Sequence, residues 1–497
     1  MIKKRQKLII IIAAVAAVLL VLYFAVLAPM LKVDDSKNKE IPNLLPGEVL
    51  GTNNRILLME HIEKADIQSI EVHNDNGTYT MYRGDDDQFY LEGNEGAPYS
   101  MTALSSLVVS SGYTLSMTRV TEDCSDMSVY GLAESDNPAW YVLTKVDGNY
   151  HKVYIGDMIP TGAGYYVKYG DRNAVYVLEA SLAATLLADV RDIITPILSY
   201  PISSTTYFQT KDFYIYRHGE PFVWITYLDD EEVKQQAKTG YGVYKMLYPT
   251  DYTPSSTNYD SVLQKFANFV GTRVVELGHT GDTMPEETLL KYGIDPENPA
   301  YLVHYNYSGV DNYIMFSEQQ EDGTYYAYSM LFNLIATVSP ETVNFLNWDL
   351  IKFVDRPIFQ KNINDVAKIE IISKDANETF ILDGEGTTIK ITPQSTGQTF
   401  DADMLQNFRQ FYKVILSLEM EDYTENDSTE DLYLTMIVTT DAGVVTEYCF
   451  YPYSTRRCFY TINGEGEFYC LRDWVEKVAA DCNRAVKGEP IDSEGKY

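Results

Sequence analysis

Asp66-Ile67-Gln68-Ser69-Ile70-Glu71-Val72 returns much later in the chain as Asp365-Val366-Ala367-Lys368-Ile369-Glu370-Ile371. In both stretches an apolar residue alternates with a polar one. A period of two predicts a β-strand with one buried face. Each run meets a turn (residues 74–77 and 374–377) and then a second alternating strand, over 78–82 and 379–382. A looser middle counterpart is Phe213-Tyr214-Ile215-Tyr216, then His218-Gly219 and residues 222–227. A hairpin that recurs in this way points to an internal repeat, and the rest of the chain follows it.

A helix comes next in each copy, with Leu104 and Leu107, Leu263 and Phe266, and Leu405 and Phe408 spaced i,i+3. Ser100, Asp260 and Asp401 are placed to cap these helices. Two copies then share a string: Tyr130-Gly131-Leu132 runs to Asn137-Pro138-Ala139, and Tyr292-Gly293-Ile294 to Asn298-Pro299-Ala300. The third copy keeps only the strand that follows, residues 432–438. A meander closes each unit. Tyr165-Tyr166-Val167 with Val175-Tyr176-Val177-Leu178 matches Cys458-Phe459-Tyr460 with Phe468-Tyr469-Cys470-Leu471, and residues 325–328 with 335–338 are the middle version. A last amphipathic helix is expected before Pro196, Pro357 and Pro490.

The expected fold class is α+β: mainly antiparallel sheets with helices on one face, in three units of hairpin, helix, meander and helix. The boundaries are 1–32 for a cytoplasmic tip and anchor, 33–55 for a polar linker with Pro42, Pro46 and Gly51, then units at 56–200, 201–360 and 361–490, and a tail at 491–497.

The anchor is an apolar run over 8–31, with Leu8, Leu19 and Leu31 along it, preceded by Lys3, Lys4, Arg5 and Lys7. About 20 apolar residues cross the roughly 30 Å hydrocarbon layer. The cationic end is expected in the cytoplasm, which places the remainder outside it. The run is too long for a signal-peptide core, and its exit has no clean cleavage pattern. No later stretch is apolar enough to span again.

The formal net charge is −32, and −36 without the four N-terminal cations. Such a surface repels polyanions, which excludes nucleic acid as a partner. The five cysteines form no CxxC, and the six histidines never sit at ligand spacing, so no metal or cofactor is expected. Cys449 and Cys458 flank one turn, Cys458 and Cys470 the next. A bridge within one of these pairs and three small buried thiols fit the spacing equally.

The string 56–64, with 70–74 and 78–82, then Tyr130-Gly131-Leu132, Ile155-Gly156-Asp157, Pro160-Thr161-Gly162 and Gly164-Tyr165-Tyr166-Val167, resembles the bacterial family called domain of unknown function 4340. The resemblance is strongest over 56–200. It implies a membrane-anchored protein accompanying an ABC-type transporter related to gliding-motility systems, and it carries over no catalytic or ligand residues.

Motifs for a nucleophile elbow, a zincin or a P-loop are missing. Arg83-Gly84-Asp85 sits in a polar hairpin and reads as a tight turn. The shared Tyr-Gly-Leu/Ile string reads as a glycine at positive φ that lets a tyrosine fasten a helix to the sheet, in preference to a ligand role. The 41 tyrosines leave one question open. Alternate positions such as Tyr166 and Tyr176 either line an exposed face that meets a protein or stacks on sugars, or simply reflect strand propensity. The expected function is a non-enzymatic accessory protein that offers its repeats to a transporter subunit. The alternative is a cell-wall or polysaccharide-binding ectodomain using tyrosine-rich sheet faces.

Overall fold

Ile70 and Val72 are fully buried while Glu71 and His73 between and beyond them reach the other face, as alternation requires. Ile67 is buried too, although its spacing from Ile70 breaks the period. A register shift between Ile67 and Ser69 turns the strand by one residue and brings both to the same face. The same irregularity recurs near the start of the corresponding strands, between Lys211 and Tyr214 and between Val366 and Lys368.

The computed structural model describes residues 43–229 and 243–494. In chain order the first elements are β1 (Val49–Leu50), β2 (Ile56–Leu57), β3 (Ile67–Asn74), β4 (Gly77–Arg83), β5 (Phe89–Leu91), α1 (Met101–Gly112), β6 (Thr118–Thr121), β7 (Ala139–Lys145), β8 (Tyr150–Met158), β9 (Gly164–Tyr169), β10 (Val175–Glu179) and α2 (Ala180–Leu187). Next come β11 (Lys211–Arg217), β12 (Glu220–Tyr227), β13 (Tyr244–Tyr248), α3 (Ser256–Lys265), β14 (Arg273–Leu277), α4 (Glu286–Lys291), β15 (Tyr301–Tyr307), β16 (Val310–Phe316), β17 (Tyr325–Ser329) and β18 (Leu334–Val338). The last are β19 (Val366–Ser373), β20 (Asn377–Asp383), β21 (Lys390–Pro393), α5 (Ala402–Leu416), β22 (Met420–Tyr423), β23 (Leu434–Thr440), β24 (Val445–Pro452), β25 (Arg457–Ile462), β26 (Phe468–Leu471) and α6 (Arg472–Lys487).

The strands form three antiparallel sheets, joined by several helices. Two compact units divide them. The first takes in the described residues through Asp75 together with Val108–Leu187; the second takes in Asn76–Leu107 and the described residues from Ala188 onward. The first unit orders its strands β1-β2-β6-β10-β9-β8-β7-β3. Within the second, the two eight-stranded sheets run β13-β12-β11-β15-β16-β17-β18-β14 and β21-β20-β19-β23-β24-β25-β26-β22, which is one order used twice. The run β3-β7-β8-β9-β10-β6 of the first unit follows the same order as β11-β15-β16-β17-β18-β14.

Helices bury one stripe each. On α5, Phe408, Phe411, Tyr412 and Ile415 face inward, and the Phe380 ring lies 4.9 Å from that of Phe408. Each such aromatic contributes about 1.5–3 kcal/mol by leaving water. Asp401 caps α5 by accepting from the Asp403 and Met404 amides.

Three expectations need correction, and one open alternative closes. Asp260 does not cap α3; it lies inside it and accepts from the Tyr244 hydroxyl at 2.5 Å, because the helix starts at Ser256. The helix expected before Pro357 is two 3₁₀ turns, Asn344–Asn347 and Leu350–Lys352. Asn344, Asn347 and Asp349 favour turns there, yet Phe345, Leu346, Leu350 and Phe353 still reach the core. The linker is not wholly solvated, since β1 and β2 join the first sheet. Its anchor is Glu48, whose carboxylate is buried and accepts from Leu45 N at 2.6 Å, Arg119 Nη1 at 2.8 Å and Tyr176 Oη at 2.8 Å. For the same reason Tyr176 lines no exposed face; it is fully buried beneath this segment. Among the described residues no helix is long and apolar enough to cross a membrane, and the run with Leu8, Leu19 and Leu31 lies outside them.

Candidate functional site

Two rows of partly exposed rings cross the outward faces of the sheets. In the first unit His73, Trp140, Tyr154 and Lys168 stand directly opposite one another on β3, β7, β8 and β9. His73 stacks on Trp140 with centroids 5.3 Å apart and planes 18° from parallel. The Lys152 ammonium lies 4.4 Å from the Trp140 ring centre and 4.9 Å from that of Tyr154, and Lys168 lies over Tyr154 at 4.9 Å.

The second unit holds a row of its own: Trp224, Tyr214, His304 and Tyr313 on β12, β11, β15 and β16. Successive centroids are 4.6, 5.5 and 4.0 Å apart, and no pair of planes departs from parallel by more than 25°. Asp212 accepts from Trp224 Nε1 at 3.2 Å, and Asp311 lies 3.3 Å from His304 Nε2. Directly opposed side chains on one sheet face are the neighbours that interact most, and aromatic pairs are among the strongest. In the second row Tyr214 and His304 each stack on a ring to either side, while Trp224 and Tyr313 close the two ends. Stacking on a sugar needs a free face.

The Tyr-Gly string is a clamp. Gly131 and Gly293 adopt φ of +64° and +69°, a region open to glycine at no cost. Each lets the preceding tyrosine turn back onto the meander. Tyr130 meets Tyr166 edge-on at 4.7 Å, and Tyr292 meets Tyr326 edge-on at 5.0 Å. Leu132 and Ile294 are buried beside them. A methyl on Gly156 would fall 2.3 Å from the Tyr130 carbonyl, so the turn and β8 touch through bare backbone. Tyr165 and Tyr166 are half-buried on β9.

Residues 97–204 match the family described as domain of unknown function (DUF4340). The match spans about a fifth of the chain and contains the first Tyr-Gly clamp and strands β7 to β10. No curated protein and no solved structure matches the chain.

Several polar groups lining the larger hollows hold structural partners. A cavity of about 460 Å³ in the second unit is lined by Tyr79, Asp189, Arg191, Glu276 and His279. Asp189 accepts from Arg191 Nε at 2.9 Å through both oxygens. Burial works against its charge, yet Arg191 prevails and holds the carboxyl below its usual range. Glu276 accepts from the Tyr292 hydroxyl at 3.1 Å, and His279 Nδ1 sits 3.3 Å from the Gly93 carbonyl. In the first unit a cavity of about 370 Å³ contains His61 and His151. His61 bonds the Gly112 carbonyl and His151 the Tyr169 hydroxyl. Among the described residues, no cluster of His, Cys, Asp or Glu is arranged to hold a metal.

The cysteine pairs separate cleanly. Cys449 stands opposite Thr461, and Cys458 opposite Pro452, so Cys449 and Cys458 do not face each other. The turn between them is longer than simple symmetry about Tyr453-Ser454 suggests, and the strand register places them three positions out of step. Cys458 instead stands directly opposite Cys470 on the neighbouring strand. Arg83-Gly84-Asp85 opens a tight turn closed by Gly84 N to Gln88 O, as its residue types dictate.

Proposed function

We propose that this chain is a non-enzymatic accessory protein of the bacterial cell membrane. In this reading residues 8–31 anchor it, the N-terminus stays in the cytoplasm, and the remainder stands outside as an interaction surface for subunits of an ABC-type transport system. The three sheets are one unit used three times. Shared strand order supports this, as does the register irregularity at the start of β3, β11 and β19.

The observation that carries the reading is the pair of ring rows. Each presents rigid aromatic edges with polar tips on an outward sheet face, the kind of side chain enriched where proteins meet. Mutual stacking takes up the inner rings of the rows, which favours a protein partner over a glycan. The transporter itself comes from the family resemblance.

The test is affinity capture of the full chain from detergent-solubilised membranes, beside a Trp140→Ala/Tyr313→Ala variant that folds with unchanged secondary structure. Recovery of transporter subunits with the natural chain and their loss with the variant is expected. A chain recovered alone under gentle solubilisation overturns the reading, and so does retention of the natural chain on isolated cell-wall glycan.

A further inference from the structure

We propose that Cys458 and Cys470 close a disulfide bond that staples β25 to β26. The inference rests on the proposed location outside the cytoplasm, where such bonds persist.

The geometry selects one pair from five thiols. Cys458 and Cys470 are direct cross-strand partners, and residues so opposed in an antiparallel sheet project to the same face. Opposed Cα atoms lie about 4.5–5.5 Å apart, within the roughly 4.4–6.8 Å that a disulfide spans. The Cys470 sulfur already sits 3.6 Å from the Cys458 carbonyl oxygen. The other three cysteines have different neighbours. Cys449 contacts the Thr435 hydroxyl, Cys124 bonds the Asp126 carbonyl, and Cys482 is buried on α6.

Both thiols are essentially without solvent contact, and α6 packs against β25 and β26. Burial pushes the Cys470 thiol well above the ordinary thiol range, and an oxidant cannot reach either buried sulfur in the folded chain. Bond formation therefore belongs to the stage before α6 closes over the strands. A thiol oxidoreductase in its disulfide form is the oxidant. One cysteine thiolate attacks its disulfide, giving a mixed disulfide and releasing one thiol of the oxidant. The second cysteine displaces the other thiol as the new S–S bond forms. Two protons and two electrons leave the pair, and the oxidant becomes a dithiol. Once formed, the bond is shielded from reductants by the same helix.

Two measurements test this on the full chain. In the first, protein is purified from membranes of its own cells with thiols blocked in denaturant, and its peptides are read by mass spectrometry. The expected product is a Cys458–Cys470 linked peptide, with Cys124, Cys449 and Cys482 each singly blocked. In the second, reduced and denatured chain is refolded with glutathione disulfide, beside a Cys470→Ser variant. The natural chain is expected to form the same link and the variant to leave Cys458 free. A link that fails to form on refolding, or that joins another pair, overturns the assignment of the partners. A link that forms on refolding while the membrane protein carries five free thiols overturns the location, and with it the bond in the cell.

Discussion

Glu48 lies in a stretch that reads as linker, yet its carboxylate is completely shielded and accepts three hydrogen bonds, from Leu45 N, Arg119 and Tyr176. Arg172 reinforces the cluster through Tyr176 Oη at 3.2 Å, Leu58 O at 2.7 Å and Pro46 O. Glu48→Ala leaves Arg119, only 10% exposed, without its carboxylate. Removing one member of a buried pair costs about 3–5 kcal/mol. Arg119 keeps Asn43 O at 2.9 Å and Glu122 at 3.5 Å, which argues for the lower end of that range. The perturbation is local, since β1 and β2 lie at the edge of the sheet. A loss of about 3 kcal/mol raises amide exchange of the segment about a hundredfold, at roughly 1.4 kcal/mol per tenfold. Hydrogen exchange read by mass spectrometry over residues 45–58 measures it, with α5 and α6 as unchanged references. Glu48→Gln keeps one acceptor oxygen, which can stay with Leu45 N and Arg119 while the amide NH2 turns to Tyr176 Oη, and it should cost about half as much. A cycle with Arg119→Met should show coupling above about 1 kcal/mol. Exchange within threefold of the natural chain in Glu48→Ala, or additive single effects, would refute the reasoning.

The two clamp glycines should respond unequally. Gly293→Ala meets no atom nearer than Ser317 Cβ at 3.7 Å and costs only the left-handed backbone penalty, about 1–2 kcal/mol. Gly131→Ala adds a contact of 2.6 Å with the Asp157 carboxylate and 2.9 Å with its amide, so its loss in chemical denaturation should be clearly larger. Alkaline titration followed by phenolate absorbance should resolve at least two classes of tyrosine. Burial, with Glu48 beside it, pushes Tyr176 up to about 12, and burial likewise moves Tyr99 to about 12; Tyr141, Tyr259, Tyr448 and Tyr460 lie higher still. Raised folded values mean that this stability is complete below about pH 10, the unfolded phenol value, and is lost as pH rises through the folded values. A single reversible class near pH 10 covering all 41 phenols would contradict the burial. Trp140→Ala removes one aromatic stack and one cation contact and should cost about 1–3 kcal/mol in the first unit's thermal transition, with a smaller effect from Lys168→Ala, which removes one cation contact.

Much of the architecture is legible without coordinates. Period-two alternation at 67–72 and 366–371 locates β3 and β19, because one strand face must be dry and the other wet. The i,i+3,i+4 stripe of Phe408, Phe411 and Tyr412 locates α5, and an Asp at 401 locates its start. The Tyr-Gly string announces a left-handed turn, because a glycine there does what other residues do only under strain.

Contacts between residues far apart in sequence are set by the folded chain and leave no local pattern. The shift between Ile67 and Ser69 is invisible in a period count, because it is defined by the partner strand. Glu48 sits in a polar stretch, and only the arrival of Arg119 and Tyr176 makes its burial affordable. Tyr176 and Tyr154 have similar sequence surroundings, yet one lies beneath β1 and the other sits in an open row. The cysteines make the same point. Spacing allowed Cys458 either neighbour, and strand register chose Cys470, because which residues face each other across a sheet is set by hydrogen-bonded pairing and not by distance along the chain.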